Sequence, residues 1–142
     1  MSLRKESNVT KLTSIEGIGA VNAAKLKAAG VRTVEALLEA GATPQARQKL
    51  EEASGIGHGS ILEWVNLADL MRIKGVGEEY SDLLEEAGVD TVKELRNRNP
   101  DKLHTALVKA NEEKELTRRL PTRNQVASWI EQAKALPPKV TY

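Results

Sequence analysis

Cysteine is missing from all 142 residues, so disulfides, thiolate metal sites and cysteine nucleophiles are excluded. Phenylalanine is missing as well, and two Trp and two Tyr are the whole aromatic content. The interior must therefore come from Leu, Val, Ile and Ala, which suits small helices packed closely. No apolar run approaches the roughly 20 residues that a membrane-spanning helix needs, so no membrane is expected as a partner. Residues Met1 to Ser7 lack the apolar stretch of a secretory signal, and the default expectation is a cytoplasmic location. The only histidines, His58 and His104, lie in different contexts and offer too few ligands for a metal. Gly55-Ile56-Gly57-His58-Gly59 lacks the Lys-Ser/Thr that completes a phosphate-binding Walker loop. Ser54, Ser60 and Ser81 have no nucleophile-elbow setting and no identifiable base. The acids between residues 78 and 90 lack the spacing of a calcium loop. With no catalytic constellation, neither an enzyme nor a small-molecule substrate is expected.

An excess of one charge is also lacking. Lys and Arg total 21 against 20 Asp and Glu, a net charge of +1. A nucleic-acid-binding chain would be more clearly basic. The distribution is more telling than the sum. From Glu78 to Glu94 there are seven acids against Lys93 alone. From Arg96 to Arg123 eight bases, among them Lys114, Arg118, Arg119 and Arg123, face four acids.

What is present is a stretch that occurs twice. Leu12-Thr13-Ser14-Ile15-Glu16-Gly17-Ile18-Gly19 matches Leu70-Met71-Arg72-Ile73-Lys74-Gly75-Val76-Gly77 at an offset of 77 − 19 = 58. The offset holds through Leu26 and Leu84, Gly30 and Gly88, Thr33 and Thr91, and Leu37 and Leu95. Glycines, caps and apolar sites are shared while the charged positions differ, as in a duplicated structural unit. The paired glycines suit a hairpin too tight for other residues, with Ile18 or Val76 between them pointing inward. Gly30 and Gly88 fit left-handed helix ends. Thr91 with Glu94, and Thr122 with Gln125, read as capping boxes.

In chain order, a polar and frayed stretch is expected over residues 1–7. Helices are expected at about Asn8–Thr13, Ala20–Ala29, Thr33–Ala40, Pro44–Ala53 and His58–Met71, the last carrying Ile61, Trp64, Val65 and Ala68 on one face. The second unit repeats this order: a helix after Glu78, another from Thr91, a third from Asn99-Pro100 to about Ala110, and a last one from Thr122 to about Ala135. Trp64 and Trp129 are 129 − 64 = 65 apart, so the second unit carries an insertion near Asn111 to Thr122, and the insertion is basic. Both indoles are expected in the core rather than stacked on bases. The divisions are 1–7, a first repeat over 8–71, a second over 72–135, and an extended tail over 136–142, which Pro137 and Pro138 keep out of a helix. No room is left for a linker between the repeats, so one rigid body is expected. No segment alternates with strand period, and the class is all-α.

Ile-x-Gly-Ile/Val-Gly between short helices resembles the helix-hairpin-helix motif at both sites. Gly-Val-x-Thr-Val-x-x-Leu, which follows both, is similar to the helical C-terminal domain of the RNA polymerase α subunit. LEWVNLADLMRIKGVGEEYSDLLEEAGVDTVKELR and the terminal LPPKVTY resemble an uncharacterised bacterial domain family built from such repeats. The resemblance implies two tandem helix-hairpin-helix (SAM-like) repeats of about five short helices each, packed as one compact body. It also implies a site. Hairpin N–H groups hold a DNA phosphate at a helix N-terminus, often with a monovalent cation at the loop, while nearby Lys or Arg adds charge. The matching positions are Gly17, Ile18, Gly19, Ala20, Lys25 and Lys27 at the first hairpin, and Arg72, Lys74, Gly75 and Gly77 at the second. Lys114, Arg118, Arg119 and Arg123 join them as basic residues, and for Arg118, Arg119 and Arg123 the neutralising of the acidic 78–87 helix is the alternative role. Glu78 and Glu79 stand where DNA-binding relatives are often basic or polar, so the second hairpin reads as structural or faces a different partner. Two functions stay open: a non-enzymatic module holding backbone phosphates of duplex DNA, and a protein-interaction or scaffold module using the same fold. No cofactor is expected beyond the monovalent cation.

Overall fold

The structure is a computed structural model and describes residues 10–142. The frayed stretch expected over residues 1–7 lies outside the described residues, as do Asn8 and Val9. Eight α-helices and one 3₁₀ turn are present among the described residues, with no strand beyond an isolated bridge, so the protein is all-α. By contact it divides into two compact units. One runs to Ala68 and includes Lys139–Tyr142, and the other is Asp69–Pro138.

The first unit opens differently from the helix expected over Asn8–Thr13. Thr10 donates its N–H and hydroxyl to the carboxylate of Glu35, at 2.9 and 2.8 Å. Lys11 bridges Thr33 in antiparallel fashion, and only Leu12–Ser14 turns, as 3₁₀. A helix of six residues gains few hydrogen bonds for its nucleation cost, so specific partners on another element prevail. Helix α1 (Ala20–Ala28) follows, then α2 (Val34–Ala40), α3 (Pro44–Ser54) and α4 (His58–Leu70), whose last two residues belong to the second unit. Their ends follow local rules. Gly30, at φ 92°, closes α1 as Val31 N–H reaches Leu26 O (2.8 Å) and Gly30 N–H reaches Lys27 O (3.0 Å). Thr33 and Thr43 cap α2 and α3 with their hydroxyls, and Pro44 takes the first helical position. Gly41, at the end of α2, is glycine for another reason. Its φ of −116° is open to any residue, but a Cβ there would lie 2.3 Å from Val65 Cγ2. Leu26, Leu37 and Ile61 are fully enclosed in this unit, beside Ile15 and Trp64.

The second unit holds α5 (Glu78–Glu86), α6 (Val92–Arg96), α7 (Pro100–Lys114) and α8 (Arg123–Ala135). Helix α8 packs on both α6 and α7, and α5 packs on α7. Their interior is one cluster that includes Leu83, Leu84, Leu95, Leu103, Leu107, Val126 and Trp129. Gly88 repeats the α1 ending at φ 93°, with Val89 N–H on Leu84 O at 2.8 Å. Thr122 and Gln125 form the expected capping box. The expected Thr91–Glu94 box is only half made. Glu94 N–H reaches Thr91 Oγ1, but the Glu94 carboxylate takes the N–H of Asp90 instead of that of Thr91. Helix α7 runs one turn beyond the expected Ala110, so Lys114 is helical, and Glu115 ends it in the left-handed region at φ 51°.

Candidate nucleic-acid interface

Each glycine loop has one glycine that the backbone requires. Gly17 and Gly75 lie at φ 95° and 96°, a region that L side chains rarely adopt. Each also lies against an indole: a Cβ on Gly17 would sit 3.0 Å from Trp64 Nε1, and one on Gly75 would sit 3.1 Å from Trp129 Nε1. Both tryptophans are buried, as expected. The second glycines correct the expectation that both are sterically required. Gly19 (φ −87°) and Gly77 (φ −108°) are N-cap residues with extended backbones, and a Cβ on either would meet nothing within 4 Å.

The two helix starts then diverge in charge. In α1 the first turn is Ala20, Val21 and Asn22, with no acidic residue and no side-chain cap on Gly19. The first backbone bond of the helix is Ala23 N–H to Gly19 O (2.9 Å), so the preceding N–H groups have no intrahelical partner. Gly17, Gly19, Ala20 and Val21 are all exposed, Val21 at 70%. In α5 the same positions begin with Glu78 and Glu79, and carboxylates there answer the helix dipole from within the chain.

The basic residues are distributed less simply than the sequence suggests. Lys25 and Lys27 are exposed but stand in the last turn of α1, at the end remote from Gly19. They are roughly 200° apart around the helix: Lys27 shares the side of Ala20, and Lys25 that of Val21. Arg72 is committed locally, its guanidinium bound to Asp69 Oδ1 and to Pro137 O, both at 2.9 Å. Lys74 has an exposed side chain, but its backbone is clamped by Gln132, whose amide accepts from Lys74 N–H (2.8 Å) and donates to Lys74 O (3.1 Å). Arg123 donates to Asp101 Oδ1 at 2.7 Å. That hydrogen bond and charge hold the Asp101 carboxyl below its ordinary range and raise the Arg123 guanidinium.

The segment after α7 folds back onto the acidic start of α5. Thr117 Oγ1 donates to Glu79 Oε1 (2.8 Å), and the Tyr80 hydroxyl donates to Arg119 O (2.7 Å). Asn111 braces the same segment through its amide, with bonds to Thr117 N and O. Arg118 consequently lines a cleft of about 540 Å³ with Glu79, Glu112 and Glu115, floored by Leu116 and Leu120. Within the second unit, Arg118 thus shares a cleft with Glu79, and the Arg119 backbone carbonyl is held by Tyr80. Reading the sequence missed Gln132 and the buried Arg47. A signal for Arg47 existed, since it lies three residues before Leu50 on the inward face of α3.

No helix among the described residues is long and apolar enough to cross a membrane. Comparison with protein families matches residues 16–136 to Domain of unknown function (DUF4332), and the chain belongs to that family. Comparison with curated proteins and with solved structures gave no match.

Proposed function

We propose that the protein is a non-enzymatic nucleic-acid-binding module of the helix-hairpin-helix kind, in two tandem units, that holds backbone phosphates of duplex DNA without reading sequence. The observation that carries this reading is the start of α1, with Ala20 and Val21 exposed, no acid in the first turn and no capping side chain. Such a terminus favours an anion through the aligned peptide dipoles and the unpaired donors together. The exposed Gly17 and Gly19 let a phosphate approach the backbone closely. Lys25 and Lys27 add charge from the last turn of the same helix. The reading asks for no cofactor beyond a monovalent cation at the loop.

The test is affinity for duplex and single-stranded DNA across a salt series. Counterion release gives a log–log slope of about −0.9 per phosphate neutralised, so with these few lysines a slope of roughly −2 to −3 is expected, at micromolar affinity or weaker. Lys25→Glu with Lys27→Glu flattens the slope. Absence of binding to either DNA at low salt refutes the reading.

A second reading, a protein-interaction module, is favoured by one feature of the second unit. The cleft bounded by Glu79, Glu112 and Glu115 exposes Leu120 at 40%. Carboxylates around an accessible leucine repel a nucleic-acid backbone and suit a basic, partly apolar protein segment.

A further inference from the structure

Arg47 in α3 is 2% exposed, and among the described residues no carboxylate pairs with it. A guanidinium withdrawn from water needs its donors satisfied. Two of them reach backbone oxygens, Gly41 O and Thr141 O, each at 2.8 Å, while Nε has no hydrogen-bond partner. The cation also lies 5.6 Å from the centroid of the Tyr142 ring, within cation–π range. Two of these three contacts thus come from a segment more than ninety residues further along the chain, with Thr141 at a separation of 94.

That segment is held residue by residue. Lys139 pairs its ammonium with the Glu39 carboxylate. Thr141 donates its N–H to Ala42 O at 2.8 Å while its own carbonyl accepts from Arg47, as an added strand would do. The Tyr142 hydroxyl donates to Asn66 Oδ1. Together these contacts read a cation, a backbone pair and a tyrosine at fixed spacing along an extended chain. Pro137 and Pro138 lead into the segment and cannot continue α8.

We propose that this slot on the first unit is a docking site for the 139–142 segment of a second copy of the chain, entering when the resident segment leaves. The exchange replaces each contact by an identical one, so no new surface is needed, and the balance is set by the effective concentration of the tethered segment against that of the free one.

The test uses two full-length variants. One, Lys139→Glu with Tyr142→Ala, has a spoiled segment and an intact slot. The other, Glu39→Lys with Asn66→Ala, has an intact segment and a spoiled slot. Neither alters a fully buried side chain. Sedimentation at concentrations near millimolar is expected to show a one-to-one complex in the mixture, with apparent association about tenfold stronger than for either variant alone. Adding Asn66→Ala to the first variant is expected to weaken the complex. A mixture that sediments as monomers overturns the proposal, as does a complex indifferent to that third substitution. If the second variant does not fold, a labelled peptide of residues 136–142 takes its place. Saturable binding of that peptide to the first variant, lost with Lys139→Glu in the peptide, is then the expected result, and no binding is the overturning one.

Discussion

The loops at Gly17 and Gly75 share a backbone and differ in nearly everything a partner would meet. Both have one glycine near φ 95° against a buried indole, and both open a nine-residue helix from an extended glycine N-cap. The first offers Ala20 and Val21 at the helix start, and the second offers Glu78 and Glu79. The first loop has Glu16 where the second has Lys74, and the Lys74 backbone is clamped by Gln132. Around the second, the 115–121 segment also reaches Glu79 through a hydrogen bond from Thr117. The difference shows that the geometry of a glycine loop does not settle its chemistry. The same backbone donors have no acid beside them in one place and are answered by the chain's own carboxylates in the other.

The comparison breaks most severely at the left-handed glycines. Gly17→Val and Gly75→Val should each cost about 1–3 kcal/mol, because both combine a positive φ with a close indole. Gly19→Ser and Gly77→Ser should leave the melting temperature unchanged or slightly raised, since serine is a favoured N-cap at those backbone angles. Equal losses at all four positions in thermal scans would show that the loops are built on something other than the first glycine.

Exchanging the charges tests whether the helix starts carry the functional difference. Ala20→Glu with Val21→Glu, which gives the first loop the character of the second, should lower DNA affinity about tenfold at low salt. Glu78→Lys should raise it, and this single change leaves the Glu79–Thr117 bond in place. An affinity that ignores both changes means that DNA contact, if present, lies elsewhere.

A smaller effect concerns the clamp. Gln132→Leu removes both bonds to the Lys74 backbone and should cost about 1 kcal/mol, with faster amide exchange at Lys74. Exchange at Glu16, whose loop belongs to the other unit, should not change.

The smallest expected effect is at the Asp101–Arg123 pair, which is exposed. Arg123→Gln should let the Asp101 carboxyl titrate closer to its ordinary range, as followed by NMR. Because the native pKa is lowered, the pair's contribution is present above the unfolded-state pKa and is lost as pH falls through the folded one. Screening at the surface keeps that contribution slight.

Much of the architecture was legible because its causes are local. Thr33, Thr43, Asn99 and Thr122 cap helices through N–H groups two or three residues away, and Gly30 and Gly88 close helices over six-residue spans. A short window of sequence contains both partners of each such bond. Which glycine of a pair is required was less legible, because Gly19 and Gly77 look the same as Gly17 and Gly75 until the neighbouring indoles and the dihedrals are known. The helix expected to run to Thr13 is absent over residues 10–13 because Thr10 and Lys11 find their partners in Glu35 and Thr33.

By itself, then, the sequence determined that the chain is all-α, where most of its helices start, and that its glycine loops come as a pair. It did so through bonds that close within about one helical turn and carry a low entropy cost of closure. Only the tertiary structure decided which charges are available. Tyr80 meets Arg119 across 39 residues, Lys74 meets Gln132 across 58, and Arg47 meets Thr141 across 94. Contacts at such separations exist only after the apolar faces have packed, and no local pattern of residue types contains them.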